Sequence, residues 1–280
     1  MNGSSRSIAI KKNIIASLFL KGISILVSLQ VVPLTINYIN PTRYGIWLTL
    51  SSIVAWLSYF DLGFAHGFRN RFAEAVAKGD MQLAREYVST TYVVLSLLFS
   101  SVFLIAIVVN HFVDWSAILN VDAAYSSELN IVFGILAFFF CLNIVASIFT
   151  TMLTANQKPA LASLIQTLGQ VFGFICIYIL TKTVPGNLDV LAFAFSGVPC
   201  FLLIIISIGM FLSGRYRHLS PSFHFVHFSL TKKIVGLGGQ FFIIMISMLF
   251  VFQLINIVIS RVAGPMAVTC LIYTSDAADD

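Results

Sequence analysis

Charge is scarce in this chain. Asp, Glu, Lys and Arg together make up 10% of its 280 residues, against about 25% in an average soluble domain. A water-exposed surface needs more than that, so a soluble enzyme or binding module is excluded. Cysteine is also sparse. Cys141, Cys176 and Cys200 lie inside apolar runs, Cys270 lies near the end, and none forms a Cys-x-x-Cys pair. Neither a disulfide framework nor a thiolate metal site is expected. There is no glycine-rich phosphate loop, no Gly-x-Ser-x-Gly elbow and no paired-carboxylate constellation, so nucleotide hydrolysis and common forms of covalent or acid–base catalysis lack their residues. We expect no enzyme and no bound cofactor, with coupling to an ion or a proton left open. His218, His224 and His227 sit in a basic segment without carboxylate or cysteine, which argues against a metal. Lys11-Lys12 precedes an apolar run too long for a signal peptide and without a small-residue cleavage site.

What the chain has in abundance is apolar length. It is 59% hydrophobic, with a mean hydropathy of +0.96. A run of about 18 or more apolar residues reads as a membrane-crossing helix. The expected fold class is therefore all-α, a polytopic transmembrane helical bundle. Seven such helices are expected, at about 13–38, 45–67, 87–112, 129–154, 160–181, 190–213 and 234–260. Pro199 is expected to kink the sixth. Between the second and third, Phe68, Phe72, Val76 and Leu83 recur at helical spacing. That predicts a helix lying on the interface or extending the second helix out of the membrane. The expected organisation is a six-helix bundle over 1–213, a linker over 214–233, the first helix of a second bundle over 234–269, and a non-native tail over 270–280.

Basic residues alternate across these spans. Arg6, Lys11, Lys12, Arg69, Arg71, Lys78, Arg85, Lys158, Arg215, Arg217, Lys232 and Lys233 fall on one side; Arg43, Lys182 and Arg261 fall on the other. The heavier side is cytoplasmic by the positive-inside rule, which places the N-terminus there. The net charge of +5 thus encodes orientation in a lipid bilayer, and no nucleic-acid partner is expected. The Lys11-Lys12 helix with its Asn40-Pro41 ending is echoed by the Lys232-Lys233 helix with its Gly264-Pro265 ending. Such a repeat suits a transporter built of two like halves with its substrate site between them.

Two charges lie within expected spans. Lys21 is about 12 Å along helix 1 and Asp61 about 9 Å from the end of helix 2, at ~1.5 Å per residue. Similar depth makes an ion pair feasible, as either a structural pair or a working one. Polar stripes follow: Asn143, Ser147, Thr150 or Thr151, and Thr154; Ser163, Gln166 and Gln170; Gln253, Asn256 and Ser260. A stripe of this kind either joins helices or lines a wet cavity. Gly63-x-x-x-Gly67 and Gly169-x-x-x-Gly173 permit close helix approach.

Several of these residues carry a resemblance. Lys21-Gly22, Val32-Pro33-Leu34-Thr35, Tyr44-Gly45-Ile46-Trp47-Leu48-Thr49-Leu50-Ser51-Ser52, Asp61-Leu62-Gly63, Gly67-Phe68-Arg69-Asn70-Arg71 and Glu74-Ala75-Val76-Ala77-Lys78-Gly79-Asp80 resemble the polysaccharide flippases. These are the oligosaccharide-lipid branch of the multidrug/oligosaccharidyl-lipid/polysaccharide exporter superfamily. The resemblance implies about 12–14 helices in two bundles that alternate their opening, of which this chain holds about seven. It also implies a cargo, an undecaprenyl-diphosphate-linked oligosaccharide moved from the cytoplasmic to the periplasmic leaflet of a bacterial inner membrane for O-antigen, capsule or exopolysaccharide synthesis. The polymerase and glycosyltransferases of the same pathway are the implied partners.

On that reading Lys21, Arg69 and Arg71 meet the diphosphate, and Asn143, Gln166, Gln170, Gln253 and Asn256 line the sugar cavity. Asp61 is the resting partner of Lys21 or a proton site. Arg69 and Arg71 have a second reading, as anchors facing anionic lipid. Relatives often carry a polar or acidic residue after the helix 7 glutamine; here Gln253 is followed by Leu254-Ile255, which argues against an ion site there. The segment Cys270–Asp280 resembles a translated sequencing adaptor, so a truncated gene is expected. The alternatives are a cation-coupled multidrug exporter of the same superfamily, a membrane sugar transferase, and a non-functional fragment.

Overall fold

A computed structural model describes residues 3–55, 63–119, 122, 125–214 and 216–236, with positions 238, 239, 243 and 247 beyond; side chains are described from Asn13 onward, residues 41–42 excepted. Asp61, Gln253, Asn256, the body of expected helix 7 and the stretch 270–280 lie outside the described residues.

The described chain is helical throughout: α1 (Gly3–Ile39), α2 (Pro41–Ala55), α3 (Phe64–Ala77), α4 (Met81–Phe112), α5 (Trp115–Leu119), α6 (Ser126–Ala146), α7 (Ile148–Ala155), α8 (Pro159–Thr183) and α9 (Leu188–Leu212). Five stretches among the described residues are long and apolar enough to cross a membrane, α6 and α7 counting as one. This is the all-α polytopic bundle that the composition demands. Ile14, Leu18, Leu104, Ile105, Ile205 and Leu212 lie exposed on its outside, as lipid-facing side chains do.

The turns fall where local chemistry puts them. Asn40 takes a left-handed φ of 72°, and its carboxamide oxygen accepts the Arg43 amide at 3.0 Å. Gly79 has φ 76°, and Asp80 caps α4 by accepting the Leu83 amide at 2.9 Å. That cap starts the third membrane helix at Met81, several residues earlier than expected. Asn187 caps α9 by accepting the Asp189 and Val190 amides at 2.7 and 3.1 Å.

Two expectations need correction. The charged connection turns its apolar face to the protein and not to lipid, and it is a helix of its own. Gly63, with φ 74°, opens a separate helix, and Phe64, Phe68, Phe72 and Ala75 bury its apolar face in the protein core. The expected fourth helix is divided at Ser147. The Ser147 hydroxyl donates to the Ile144 carbonyl at 2.7 Å, and Thr151 donates to the Ser147 carbonyl at 3.1 Å; such back-bonding competes with the helical ladder and bends it. Residues 214–233, expected as a linker, form a strap docked along the basic end. Its Tyr216 hydroxyl accepts from Lys158 at 3.0 Å, and Ser220 accepts from Arg85 at 2.9 Å. The Ser222 and His227 amides donate to Ser89 and Thr90 at 3.1 and 3.0 Å. Arg85 also lies 4.2 Å over the Phe225 ring.

Pro199 stays inside one continuous α9. It faces α8 where Gly169 and Gly173 lack side chains, and a Cβ on Gly169 would stand 3.2 Å from the Pro199 Cβ. The glycine spacing on α8 is thus a proline socket.

Two apolar cores hold the bundle. One lies at the basic end and gathers α3, α4, α7 and the strap around Phe68, Phe149, Tyr216 and Ile234. The other lies at the opposite end around Trp47, Trp115, Phe133 and Leu191. There Arg43 donates to the Gly186 carbonyl at 3.0 Å and pairs with Glu128 at 3.3 Å, fastening the starts of α2 and α6 to the α8–α9 loop. Phe149 is 0% exposed and meets Phe211 and Tyr216 edge-on at 5.0 and 6.2 Å. Phe149→Ala should cost about 3–5 kcal/mol, read as a lower thermal unfolding midpoint in detergent. Removing Arg85 should release the strap: Arg85→Ala should speed tryptic cleavage at Arg217 in membranes severalfold over the parent chain.

Candidate functional site

Three of the cavities between the described helices divide the polar stripes by depth. The first, about 340 Å³, lies at the basic end between α3, α7 and α8. α3 contributes Ala65, His66 and Arg69, which share one face because Arg69 follows the other two at i+4 and i+3. α7 contributes Thr150, Thr151 and Thr154, and α8 contributes Ser163 and Gln166 from its first two turns. The hydroxyl protons of Thr150, Thr151 and Thr154 are spent on backbone carbonyls at 2.9, 3.1 and 2.9 Å. Their oxygens still face the chamber as acceptors. No carboxylate lines the chamber among the described residues. A guanidinium, a carboxamide and four hydroxyls form a surface for an anion that carries hydroxyl groups.

The second cavity, about 320 Å³, lies between α1, α2, α8 and α9 and is mostly apolar, with Ser28, Thr35, Tyr44 and Gln170 as its polar exceptions. Gln170 accepts a hydrogen bond from the Ser24 hydroxyl of α1. The third, about 260 Å³, lies between α2, α6 and α9 and holds Asn143, Ser51 and Ser196. Trp47, Phe195 and Pro199 line both of these, with the Trp47 and Phe195 rings edge-on at 5.1 Å.

Of the residues expected to act together, Arg69 and Gln166 meet in the chamber. Gln170 and Asn143 each line a different cavity. The reason is the break at Ser147 and the length of α8: a stripe that shares a face still spans several levels of the bundle. Arg71 points elsewhere. It pairs with Glu74 at 3.0 Å and donates to the Lys233 carbonyl at 3.4 Å. Glu74 is held below the ordinary carboxylate range, first by the hydrogen bond from Lys78 and then by Arg71. Lys21 is exposed on α1 and lines none of these three cavities. Asp61, Gln253 and Asn256 lie outside the described residues, so the Lys21–Asp61 pair has no geometry here. Sequence reasoning missed His66, although its place three residues before Arg69 was a usable signal. It also missed the Arg43 clasp, whose signal was a lone arginine beside acidic loops.

Multiple apolar spans around a polar chamber at a basic end define a multi-pass helical membrane protein with a polar cavity. The chain belongs to the polysaccharide biosynthesis protein family, which it matches over residues 10–274. No curated protein and no solved structure matches it.

The chamber's openness to water can be measured. Ser163→Cys should react with a membrane-impermeant maleimide, while native Cys141 and Cys200, 5% and 0% exposed, should not. Peptide mass spectrometry of labelled membranes resolves these three thiols from each other and from Cys176 and Cys270.

Proposed function

We propose that this protein is a secondary transporter that flips undecaprenyl-diphosphate-linked oligosaccharide from the cytoplasmic to the periplasmic leaflet of a bacterial inner membrane. The observation that carries this reading is the chamber between α3, α7 and α8, with Arg69 in its wall and no opposing carboxylate among the described residues. The family's link to polysaccharide biosynthesis supplies the cargo class.

The physical roles divide cleanly. The Arg69 guanidinium offers paired donors to phosphate oxygens. Sugar hydroxyls donate to the Thr151, Thr154 and Ser163 oxygens and exchange hydrogen bonds with the Gln166 amide. The polyprenyl chain stays in lipid along the apolar outside of the bundle. Lys21 on α1 is the next cation available to the diphosphate. The basic end faces the cytoplasm, where the polyprenyl-diphosphate sugar is assembled, and the N-terminus lies on that side. Glycosyltransferases would supply the cargo and a polymerase would consume it.

A cation-coupled drug exporter is the second reading. It needs an intramembrane carboxylate facing the cargo, and none lines the three cavities described. The flippase reading is preferred because the Arg69 guanidinium in the chamber wall suits an anionic headgroup and not a cationic drug.

In vesicles holding the protein and a lipid-linked oligosaccharide, Arg69→Gln should slow headgroup translocation about tenfold, the scale of one charged hydrogen bond lost. Gln166→Leu should slow it less, and Lys78→Gln, on the exposed face of α3, should leave it near the parent rate. Equal rates for the parent and Arg69→Gln would exclude the chamber as the loading site. In intact cells, a maleimide that cannot cross the membrane should miss Ser163→Cys from outside and reach it only in inverted vesicles.

A further inference from the structure

α3 presents three faces to three different neighbours. Phe64, Phe68, Phe72 and Ala75 sink into the core. Ala65, His66 and Arg69 wall the chamber. The third face is Gly67 and Arg71, continued by the N-cap Gly63, four residues apart; it meets the end of the strap at Lys233 and, just beyond it, Ile234 and Gly238. A Cβ on Gly63 would overlap the Gly238 carbonyl, and one on Gly67 would overlap the Ile234 carbonyl. Arg71 donates to the Lys233 carbonyl at 3.4 Å. Backbone rests directly on backbone along this line, with no side chain to absorb a shift.

The helix that carries this contact is short and flanked by joints. It spans Phe64–Ala77, with left-handed glycines on either side at φ 74° and 76°. The strap is itself fixed to α4 through Arg85, Ser89 and Thr90 and to the α7–α8 turn through Lys158. It then runs on toward the segment expected to begin the second bundle.

We propose that α3 is a lever between strap and chamber, with Gly63, Gly67 and Arg71 as positioning residues that set how far Arg69 stands from α7 and α8. A displacement of 234–238 passes through the glycine contact into α3, because close-packed surfaces transmit strain rather than dissipate it. The chamber wall moves because it is the other side of the same two-turn stretch. The position of the second half of the protein is thereby read out at the first half's polar site. This holds whatever the cargo is, so it stands apart from the flippase reading.

The test is the labelling rate of Ser163→Cys in native membranes. Gly67→Ala forces the strap and α3 apart, presses α3 toward α8, and should slow labelling about fivefold, the effect of roughly one coupling contact. Gly236→Ala is the control, since its Cβ meets nothing within 4 Å among the described residues, and should label at the parent rate. Should Gly67→Ala not accumulate, Arg71→Gln removes the third contact of the stripe without a clash and should shift the rate about twofold. The proposal is overturned if Gly67→Ala, or Arg71→Gln in its place, labels like the parent, or if Gly236→Ala slows labelling equally. Transport measured in parallel separates the two readings: unchanged labelling with a translocation defect in Arg69→Gln removes the lever and leaves the flippase.

Discussion

A polar group at membrane depth must find a partner inside the protein, because hydrocarbon offers none. Much of this bundle follows from that constraint. Thr150, Thr151 and Thr154 discharge their protons onto carbonyls one turn back. Ser147 does the same, and the helix breaks there. Ser24 and Gln170 satisfy each other between α1 and α8. Side chains that cannot be satisfied within a helix are gathered at cavity walls, where a hydrated or hydroxyl-bearing molecule can complete them. Transport of a sugar headgroup would use the same groups the fold had to accommodate.

Much of the fold was legible because the bilayer reduces the alphabet. Apolar length gives the spans, and Asn40, Gly79 and Asn187 end or cap helices for reasons local to each residue. What was not legible came from tertiary contacts. Phe68 and Phe72 repeat at a spacing equally suited to a membrane surface and to a protein core; the aromatic partners that decide between them are distant in sequence. The strap is basic, aromatic and broken by Pro221, which reads as a linker, yet it docks through backbone groups that carry no sequence signal.

The site was half legible. Arg69 and Gln166 were chosen for their chemistry, and the chamber joins them. Arg71 was chosen by the same logic and faces the strap, because two positions along a helix turn a side chain by about 200°. Gln170 lies four residues beyond Gln166 on the same face, yet a turn of helix carries it about 6 Å deeper and into another cavity. Facing alone does not define a site in a bundle; depth does as well, and depth needs the packing of neighbours.

That packing also explains why Gly63 and Gly67 matter beyond close approach. A glycine pair in a membrane bundle usually marks a static interface. Here the partner surface is the segment 234–238 that follows the strap, and the helix at whose start the pair lies is the wall of a polar chamber. A static interface would have been equally well served by α8, where Gly169 and Gly173 seat Pro199 inside the bundle. Placing a second glycine contact at the basic end, between two left-handed joints, puts the least compressible contact where the first bundle hands over to the rest of the chain. Rigid contact and jointed ends together make a transmitting element; either one alone would make only a brace or a loop.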